Sequence, residues 1–177
     1  DKMGINVIQM QLFGGMDNDL PDPEDMYDVV DANSGILTGV SPYVGVTAAV
    51  RSGNDIFKAT HLYGVSEIMY NPVTNYTMDG EQLAQGRFIN YLDVERREPV
   101  CVVGAYLEQE AFDGDALGKT LSINGRLFTV VGVLKRNAEL EMLEGSQDDQ
   151  VYLPYSTALE VIGSRWVNMY IFTSSSS

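Results

Sequence analysis

The dipeptide Asn124-Gly125 stands between two runs of strand-forming residues, TLSI and RLFTVVGVL. A two-residue turn between antiparallel strands needs a positive φ at both positions, and asparagine followed by glycine accepts that geometry readily. The segment therefore predicts a β-hairpin. A chain with such a hairpin carries at least two neighbouring strands in its latter half, which excludes an all-helical fold.

The stretch just before this hairpin, GDALGKT, resembles a phosphate-binding loop. Such a loop needs a glycine, four residues and then Gly-Lys-Ser/Thr, and it follows a strand and opens a helix. Here Asp113 occupies the position of the first glycine, and Gly114 leaves three residues before Gly118. The context is inverted as well, because a helical pattern precedes the loop and the hairpin follows it. We therefore expect no nucleotide and no other cofactor.

The first half of the chain predicts a strand in INVIQMQLFGG, a helix and then further strands. The signals of the helix lie in DLPDPEDMYDVVDANSG, with Asp22 as its N-cap, Pro23 at its first position and Gly35 as its left-handed end. Two strands follow, joined by the turn SGND at Ser52–Asp55.

The second half predicts two more short helices among strands. The segment from Glu67 to Arg87 is interrupted by Pro, Asn, Gly and Asp, so we expect an irregular loop with one helical turn near Glu81–Ala84. The helices lie in AYLEQEAFD and YSTALEVIG, the latter beginning with Thr157 and Glu160 at capping-box spacing. The predicted fold class is α+β, with mixed strands dominating and three short helices.

Composition narrows the classes of function. The chain of 177 residues suits a single domain, and its net charge is −14, from 11 basic and 25 acidic residues. Binding to nucleic acid depends on lysine and arginine, so we expect no nucleic-acid partner. One cysteine and one histidine supply neither a metal cluster nor a cysteine–histidine nucleophile. The abrupt start at Asp1 and the end in SSSS favour a segment excised from a larger protein.

Individual candidates for chemistry are weak. MDNDLPDPED lacks the spacing of a calcium loop, because Pro21 and Asp22 stand where that loop needs an acid and a glycine. His61 lies in a predicted strand without a nucleophile nearby in sequence, and Cys101 reads as a small core residue. The many carboxylates leave open a secreted hydrolase or carbohydrate-binding domain. We therefore predict no catalytic, metal-binding or cofactor-binding residue.

Tyr70, Tyr76 and Met78 are the candidates for partner binding. They lie in the most irregular segment of the chain, YNPVTNYTMDG. Aromatic and methionine side chains on a surface loop are enriched at protein interfaces. The alternative, that they pack on the core of their own chain, remains open.

The order of motifs resembles the extracytoplasmic core domain of MacB-like ABC-transporter permeases, with FtsX-like and lipoprotein-release relatives. The resemblance covers roughly residues 36–172. It departs from the family pattern at Ala116, in the long stretch Glu67–Gln85, and at the end of the chain, where the family usually continues. The matching motifs are Ser41-Pro42, Gly64-Val65, Gly86-Arg87-Phe88 with Asp93, Val102-Val103-Gly104, Leu117-Gly118-Lys119, Asn124-Gly125, Phe128, Val130–Leu134 and Leu153-Pro154.

The resemblance implies a porter-like βαβ part, residues 1–58 with 150–177, and an inserted β-rich part, residues 59–149. It implies a non-catalytic domain that relays ATP-driven motion and contacts substrate or adaptor protein in export. ATP would be hydrolysed in a separate cytoplasmic subunit or domain. The implied partners are a second permease copy, that ATPase and an adaptor protein. The implied location is the extracytoplasmic face of a bacterial membrane, with tethering by transmembrane helices outside this chain.

Overall fold

The computed structural model describes residues 5–12 and 20–175, in which strands predominate. The helices are α1 (Pro23–Ala32), α2 (Tyr91–Glu95), α3 (Ala105–Phe112) and α4 (Tyr155–Ile162), with a 3-10 turn at Glu67–Met69. The strands are β1 (Ile5–Gln11), β2 (Leu37–Pro42), β3 (Val44–Val46), β4 (Val50–Ser52), β5 (Asp55–Phe57), β6 (His61–Val65), β7 (Tyr70–Asn71), β8 (Tyr76–Thr77), β9 (Leu83–Gly86), β10 (Val100–Val103), β11 (Thr120–Ile123), β12 (Arg126–Leu134), β13 (Gln150–Pro154) and β14 (Met169–Ser175).

A three-stranded antiparallel sheet unites the two ends of the described chain. Its order is β1-β14-β2, and the register pairs Ile5 with Ser175 and Gln11 with Met169. The apolar residues 170–172 of β14 are explained by the two core clusters, which cover both faces of this strand. Tyr170 and Ile171 are fully buried and Phe172 nearly so.

A nine-stranded mixed sheet forms the rest of the framework. Its order is β3-β6-β13-β10-β12-β11-β4-β5, and β9 pairs with β12 beside this path. The pairs β10–β12 and β6–β13 are parallel, and the other pairs are antiparallel. This arrangement confirms the predicted α+β class, although the structure adds a fourth helix, α2, to the three predicted ones.

Two clusters of buried side chains fill the interior. The larger one includes Leu107 of α3, Phe128 of β12 and Ala158 of α4. The second one gathers Phe88, Tyr152 and Ile171 with neighbouring aliphatic residues. Cys101 lies in the larger cluster with no exposed surface, as predicted, and burial raises the pKa of its thiol.

Two predicted turns and one predicted helix cap are confirmed. Asn124 and Gly125 have φ values of 52° and 82° between β11 and β12. Gly53, with a φ of 59°, turns the chain between β4 and β5 within the predicted SGND segment. Asp22 is the N-cap of α1, and its N–H donates to the carboxylate of Asp25 at 3.0 Å. The segment around the turn SGND, for which two strands were predicted, contains five strands, β2 to β6.

Three local predictions are wrong. The helical turn expected near Glu81–Ala84 is absent, because pairing with β12 draws residues 83–86 into β9. Helix α1 ends at Asn33 rather than Gly35, since the Asn33 side-chain amide donates to the Val29 carbonyl at 2.8 Å. Helix α4 begins two residues before Thr157, whose hydroxyl donates instead to the backbone carbonyl of Glu98 at 2.9 Å.

Candidate partner-binding groove

The segment Gly86-Arg87-Phe88 is fixed tightly against β12. Gly86 has a φ of 72°, and the N–H of Arg87 donates to the Val131 carbonyl at 2.9 Å. A Cβ atom at Gly86 would collide with the same Val131 carbonyl, and one at Gly132 would collide with the Arg87 carbonyl. Close approach of the two backbones therefore requires glycine on both strands.

Arg87 and Asp93 hold the next turn of chain. The Arg87 guanidinium donates to both carboxylate oxygens of Asp93, at 2.7 and 3.2 Å. Asp93 is 5% exposed and also accepts the N–H of Asn90 at 2.9 Å, while Asn90 caps α2 by accepting the N–H of Asp93. Residues 88–91 are thereby held in one conformation beside the β7–β8 hairpin.

The β7–β8 hairpin is built around Asn75. This residue has a φ of 59°, and its side-chain oxygen accepts the Tyr70 hydroxyl at 2.7 Å and the Leu83 N–H at 3.1 Å. The Asn75 amide also donates to the Leu83 carbonyl at 3.1 Å. The Tyr70 ring stacks on Phe88 with ring centroids 5.2 Å apart. These contacts fix the hairpin to β9 and to the second core cluster.

Between this hairpin, the 3-10 turn and the three-stranded sheet lies a groove of about 1020 Å³. Tyr70, Tyr76 and Met78 all line it, and all three are half-buried. Phe88 and Tyr91 extend the same surface from the segment after β9. The structure thus brings the three predicted residues together, and their role in binding a partner stays a prediction.

Small and aliphatic residues form the floor of the groove. Gly39 of β2 lies so close to its neighbours that an added Cβ would sit 3.0 Å from Ile68 and 3.7 Å from Met78. Ile68 itself is 41% exposed, and Val7 of β1 is 44% exposed. The groove therefore exposes apolar side chains among the threonine and asparagine residues of its lining.

The electrostatic character of the groove is acidic. Lysine, arginine and histidine are absent from its described lining, and Glu67 is its one carboxylate. Burial, and then the nearby charge of Glu95, raise the pKa of Glu67. The same Glu95 raises the pKa of Tyr91, with smaller contributions from Glu24 and Glu67. A ligand with positive charge at this end would meet a favourable potential.

Buried carboxylates elsewhere serve the chain itself. Asp148 accepts the N–H groups of Asn137 and Ala138, at 2.7 and 2.9 Å. Asp149 accepts the Thr60 hydroxyl at 2.6 Å and the Gly145 N–H at 2.8 Å. These bonds hold the loop before β13, so the geometry does not favour the alternative of a carboxylate-dependent hydrolase.

The remaining candidates from the sequence are scattered. His61 lies at the exposed start of β6, where its Nε2 donates to the Gly145 carbonyl at 2.9 Å. Among residues 5–12 and 20–175, no three His, Cys, Asp or Glu side chains come together as a metal site. Gly39 and Tyr91 of the groove were missed, because only the fold brings them beside the β7–β8 hairpin. The one local sequence signal for this part of the groove was the motif Gly86-Arg87-Phe88, which contains Phe88.

Fold and site together define an α+β scaffold domain, whose buried carboxylates stabilise loops and helix ends. A family model described as the MacB-like periplasmic core domain matches residues 1–177. The chain therefore belongs to the family of MacB-like periplasmic core domains. As such it is a component of an ABC-type membrane transporter and not a catalytic domain. Each helix in the described part of the chain falls short of what a membrane crossing requires.

Relatives agree with this assignment. The macrolide export ATP-binding/permease protein MacB of Aggregatibacter actinomycetemcomitans is 30% identical over 173 residues, which are 92% of this chain and 25% of that protein. The MacB protein of Wolinella succinogenes is 26% identical over 147 residues, 82% of this chain and 21% of its own. The chain thus spans about a quarter of the length of these relatives.

Solved structures share the fold. The periplasmic region of MacB from Actinobacillus actinomycetemcomitans superimposes with a TM-score of 0.71 at 23% identity, covering 98% of this chain and 76% of that one. The extracellular domain of the noncanonic ABC-type transporter YknZ from Gram-positive bacteria gives a TM-score of 0.67 at 16% identity, covering 97% and 84%. The fold therefore occurs on both periplasmic and extracellular domains of such transporters.

Proposed function

We propose that this domain relays ATP-driven motion in an ABC-transporter permease and contacts an adaptor protein or substrate during export. ATP is hydrolysed in a separate cytoplasmic subunit or domain, and two copies of the permease work together. Segments before β1 and after β14 tether the domain to the cell membrane. Relatives that carry an ATP-binding part and a permease, and that are about four times as long, support this arrangement.

The observation that carries the proposal is the pairing of the two ends of the domain. Ile5 and Ser175 are partners in the β1–β14 register, so both flanking segments leave from the same end of these paired strands. A displacement of either flanking segment would act on the same pair of strands. This geometry suits a domain that moves as one body on a two-point attachment.

Strand β14 connects this attachment to the whole interior. Tyr170 and Phe172 belong to the larger core cluster, while Ile171 belongs to the second cluster. Protein interiors are packed densely and resist compression. A pull on β14 is therefore transmitted to both clusters. The αβ part, residues 1–58 with 150–177, receives the motion, and the groove lies between this part and the β-rich part, residues 59–149.

The relay can be tested in the full-length transporter by softening its attachment. A flexible Gly/Ser insert of about six residues directly after β14 would uncouple the domain, because such linkers behave as random coil. A spin label at Leu127→Cys, 65% exposed on β12, reports the distance between the two copies. The native Cys101 is fully buried and stays unlabelled. The control carries the same insert at the exposed turn between β4 and β5.

With the control insert, addition of ATP should change the distance between labels. With the insert after β14, the distance should become broad and independent of ATP, while ATP hydrolysis continues. A distance that responds equally in both proteins would contradict the relay. So would a distance that never responds to ATP in the unmodified transporter.

The groove is the surface that contacts the adaptor, through Tyr70, Tyr76 and Met78. Its apolar lining and the acidic end at Glu67 suit an apolar adaptor segment that carries a basic residue. A photo-crosslinking amino acid at Tyr76 in the full-length transporter should capture such a segment of the adaptor, identified by mass spectrometry. The control position is Leu127, where no adaptor crosslink is expected. Equal crosslinking at both positions would refute the assignment.

A further inference from the structure

A second, smaller pocket of about 240 Å³ lies beside β6 and β13, next to the loop that leads into β13. Pockets for drug-sized ligands usually run from about 300 to 1,000 Å³. This pocket therefore has room for a residue-sized ligand. Each residue of its described lining is polar or aromatic.

One side of the pocket is a row of three stacked rings, those of His61, Tyr63 and Tyr43. His61 and Tyr63 lie two residues apart on β6 and so share one face of the sheet. The planes of these two rings are parallel within 1°, with ring centroids 6.2 Å apart. Tyr63 also stacks on Tyr43, with ring centroids 4.7 Å apart. Flat aromatic faces of this kind attract a planar cation.

Two carboxylates face the same space. Asp79 accepts the hydroxyl of Tyr152 at 2.6 Å and that of Tyr43 at 3.4 Å. Glu81 is 1% exposed and accepts the side-chain amides of Asn137 and Gln147. The ion pairs found within residues 5–12 and 20–175 do not include Glu81. Neither lysine nor arginine occurs in the described lining of the pocket, so its two carboxylates give that lining a negative potential.

A separate observation at the same place is the side chain of Gln150. This residue is 5% exposed, lines the pocket and holds its Nε2 buried without a hydrogen-bond partner. Its backbone carbonyl accepts the Gly104 N–H at 2.8 Å, and β13 pairs it with His61. The backbone of Gln150 is thus fixed. Buried donors in folded proteins are almost always paired, so this one marks where an acceptor is received.

We propose that the pocket binds an arginine residue of a polypeptide partner. The guanidinium lies against the rings of Tyr63 and His61 and donates toward Asp79 and Glu81. The carbonyl oxygen of the same arginine accepts from Gln150 Nε2. Arginine fits better than lysine because its planar fork both stacks on rings and bridges two carboxylate acceptors. This site is separate from the groove, and the failure of either proposal leaves the other intact.

The test is a titration of the isotopically labelled chain with N-acetyl-arginine-N-methylamide, followed by ¹H–¹⁵N NMR. The side-chain amide signals of Gln150, identified by their loss in Gln150→Leu, should shift and saturate. The neutral isostere, N-acetyl-citrulline-N-methylamide, should bind at least tenfold more weakly. Methylguanidinium, which lacks the carbonyl, should also bind at least tenfold more weakly. Free arginine should bind more weakly than the capped form, since its own carboxylate meets the two acids.

Variants assign the interaction to this pocket. Glu81→Gln and Gln150→Leu should each weaken binding about tenfold, and His61→Ala, at an exposed ring that tolerates truncation, at least threefold. The control is Glu160→Gln, which removes the same charge from an exposed carboxylate paired with Arg126 and should bind as the unmodified chain does. If the two buried variants do not fold, the comparison of His61→Ala with Glu160→Gln decides whether the arginine binds in this pocket, and equal binding by these two variants would contradict the proposal.

Three results would overturn the proposal. Citrulline and arginine binding equally would remove the role of the carboxylates. Methylguanidinium binding as tightly as the capped arginine would remove the role of Gln150. Shifts confined to groove residues, with the Gln150 amide unmoved, would place the arginine elsewhere.

Discussion

Replacing Gly132 by alanine should weaken the domain more than a single methyl group ordinarily does. The new Cβ would overlap the carbonyl oxygen of Arg87 and lie 3.1 Å from its carbonyl carbon and 3.2 Å from Leu83 Cδ1. That carbonyl is backbone, and it is held in place by the 2.9 Å bond from the Arg87 N–H to Val131. The overlap is relieved only when β9 moves away from β12.

The cost can be worked from this geometry. Parting the strands weakens one or two ladder hydrogen bonds, each worth about 1 kcal/mol net. Overpacking of a dense interior adds about 1–3 kcal/mol. We therefore expect Gly132→Ala to lower the free energy of unfolding by about 3 kcal/mol, and the midpoint of thermal unfolding by about 6–12 °C in a domain of this size.

Urea unfolding followed by circular dichroism measures this loss, and two other glycines of the chain supply controls. Gly118 has a φ of 80° and nothing within 4 Å of an added Cβ, so Gly118→Ala should cost about 1–2 kcal/mol from backbone strain alone. Gly35 has neither a positive φ nor an atom within 4 Å of an added Cβ, so Gly35→Ala should stay within about 0.5 kcal/mol. A Gly132→Ala protein as stable as Gly35→Ala would refute the close approach of β9 and β12.

Further perturbations probe other contacts. Asp93→Ala removes the ion pair with half-exposed Arg87 and the bond to the Asn90 N–H, and should cost about 2–4 kcal/mol in urea unfolding; a loss below 1 kcal/mol would contradict a structural role. Burial, then Glu95, raises the pKa of Tyr155 to about 12, so the folded chain keeps a proton that the unfolded chain releases above about pH 10. The contribution of Tyr155 to the free energy of unfolding is therefore full below about pH 10 and is lost between about pH 10 and 12. In urea unfolding at a series of pH values, Tyr155→Phe should make this decrease shallower. An unchanged dependence of the free energy of unfolding on pH would refute the raised pKa. Cys101 should react with a thiol reagent only at the rate of global unfolding, and faster labelling of the native chain would contradict its burial.

The sequence predicted features that depend on one or two adjacent residues. The hairpin at Asn124-Gly125 follows from the left-handed conformation that these two residues accept, whatever surrounds them. Likewise Asp22 begins α1 through a local hydrogen bond to Asp25. For these features the local preference and the fold agree, which is the condition under which sequence patterns are informative.

Predictions failed where contacts distant in sequence decide the local structure. Residues 81–84 contain good helix formers, yet pairing between β9 and β12 places Leu83 opposite Leu134 in a sheet. Helix α2 spans five residues, too few to show a helical period, and its signal was the Asn90–Asp93 capping pair. The pocket around Gln150 depends on chain segments far apart in sequence, so no pattern along the chain could indicate it.

The groove and the proposed relay depend on the same packed side chains. Ile171 of β14 shares the second core cluster with Phe88 and Tyr152, and Phe88 contacts Tyr152 at 5.3 Å and Tyr70 at 5.2 Å between ring centroids. A movement of β14 therefore reaches the groove through close-packed rings, without a loop between them that could absorb it. Because Gly86 fixes the other flank of Phe88 to β12, the groove wall should move with the sheet and not independently. Under the proposed function, a force on the ends of the domain would then carry a bound partner as one body with the groove.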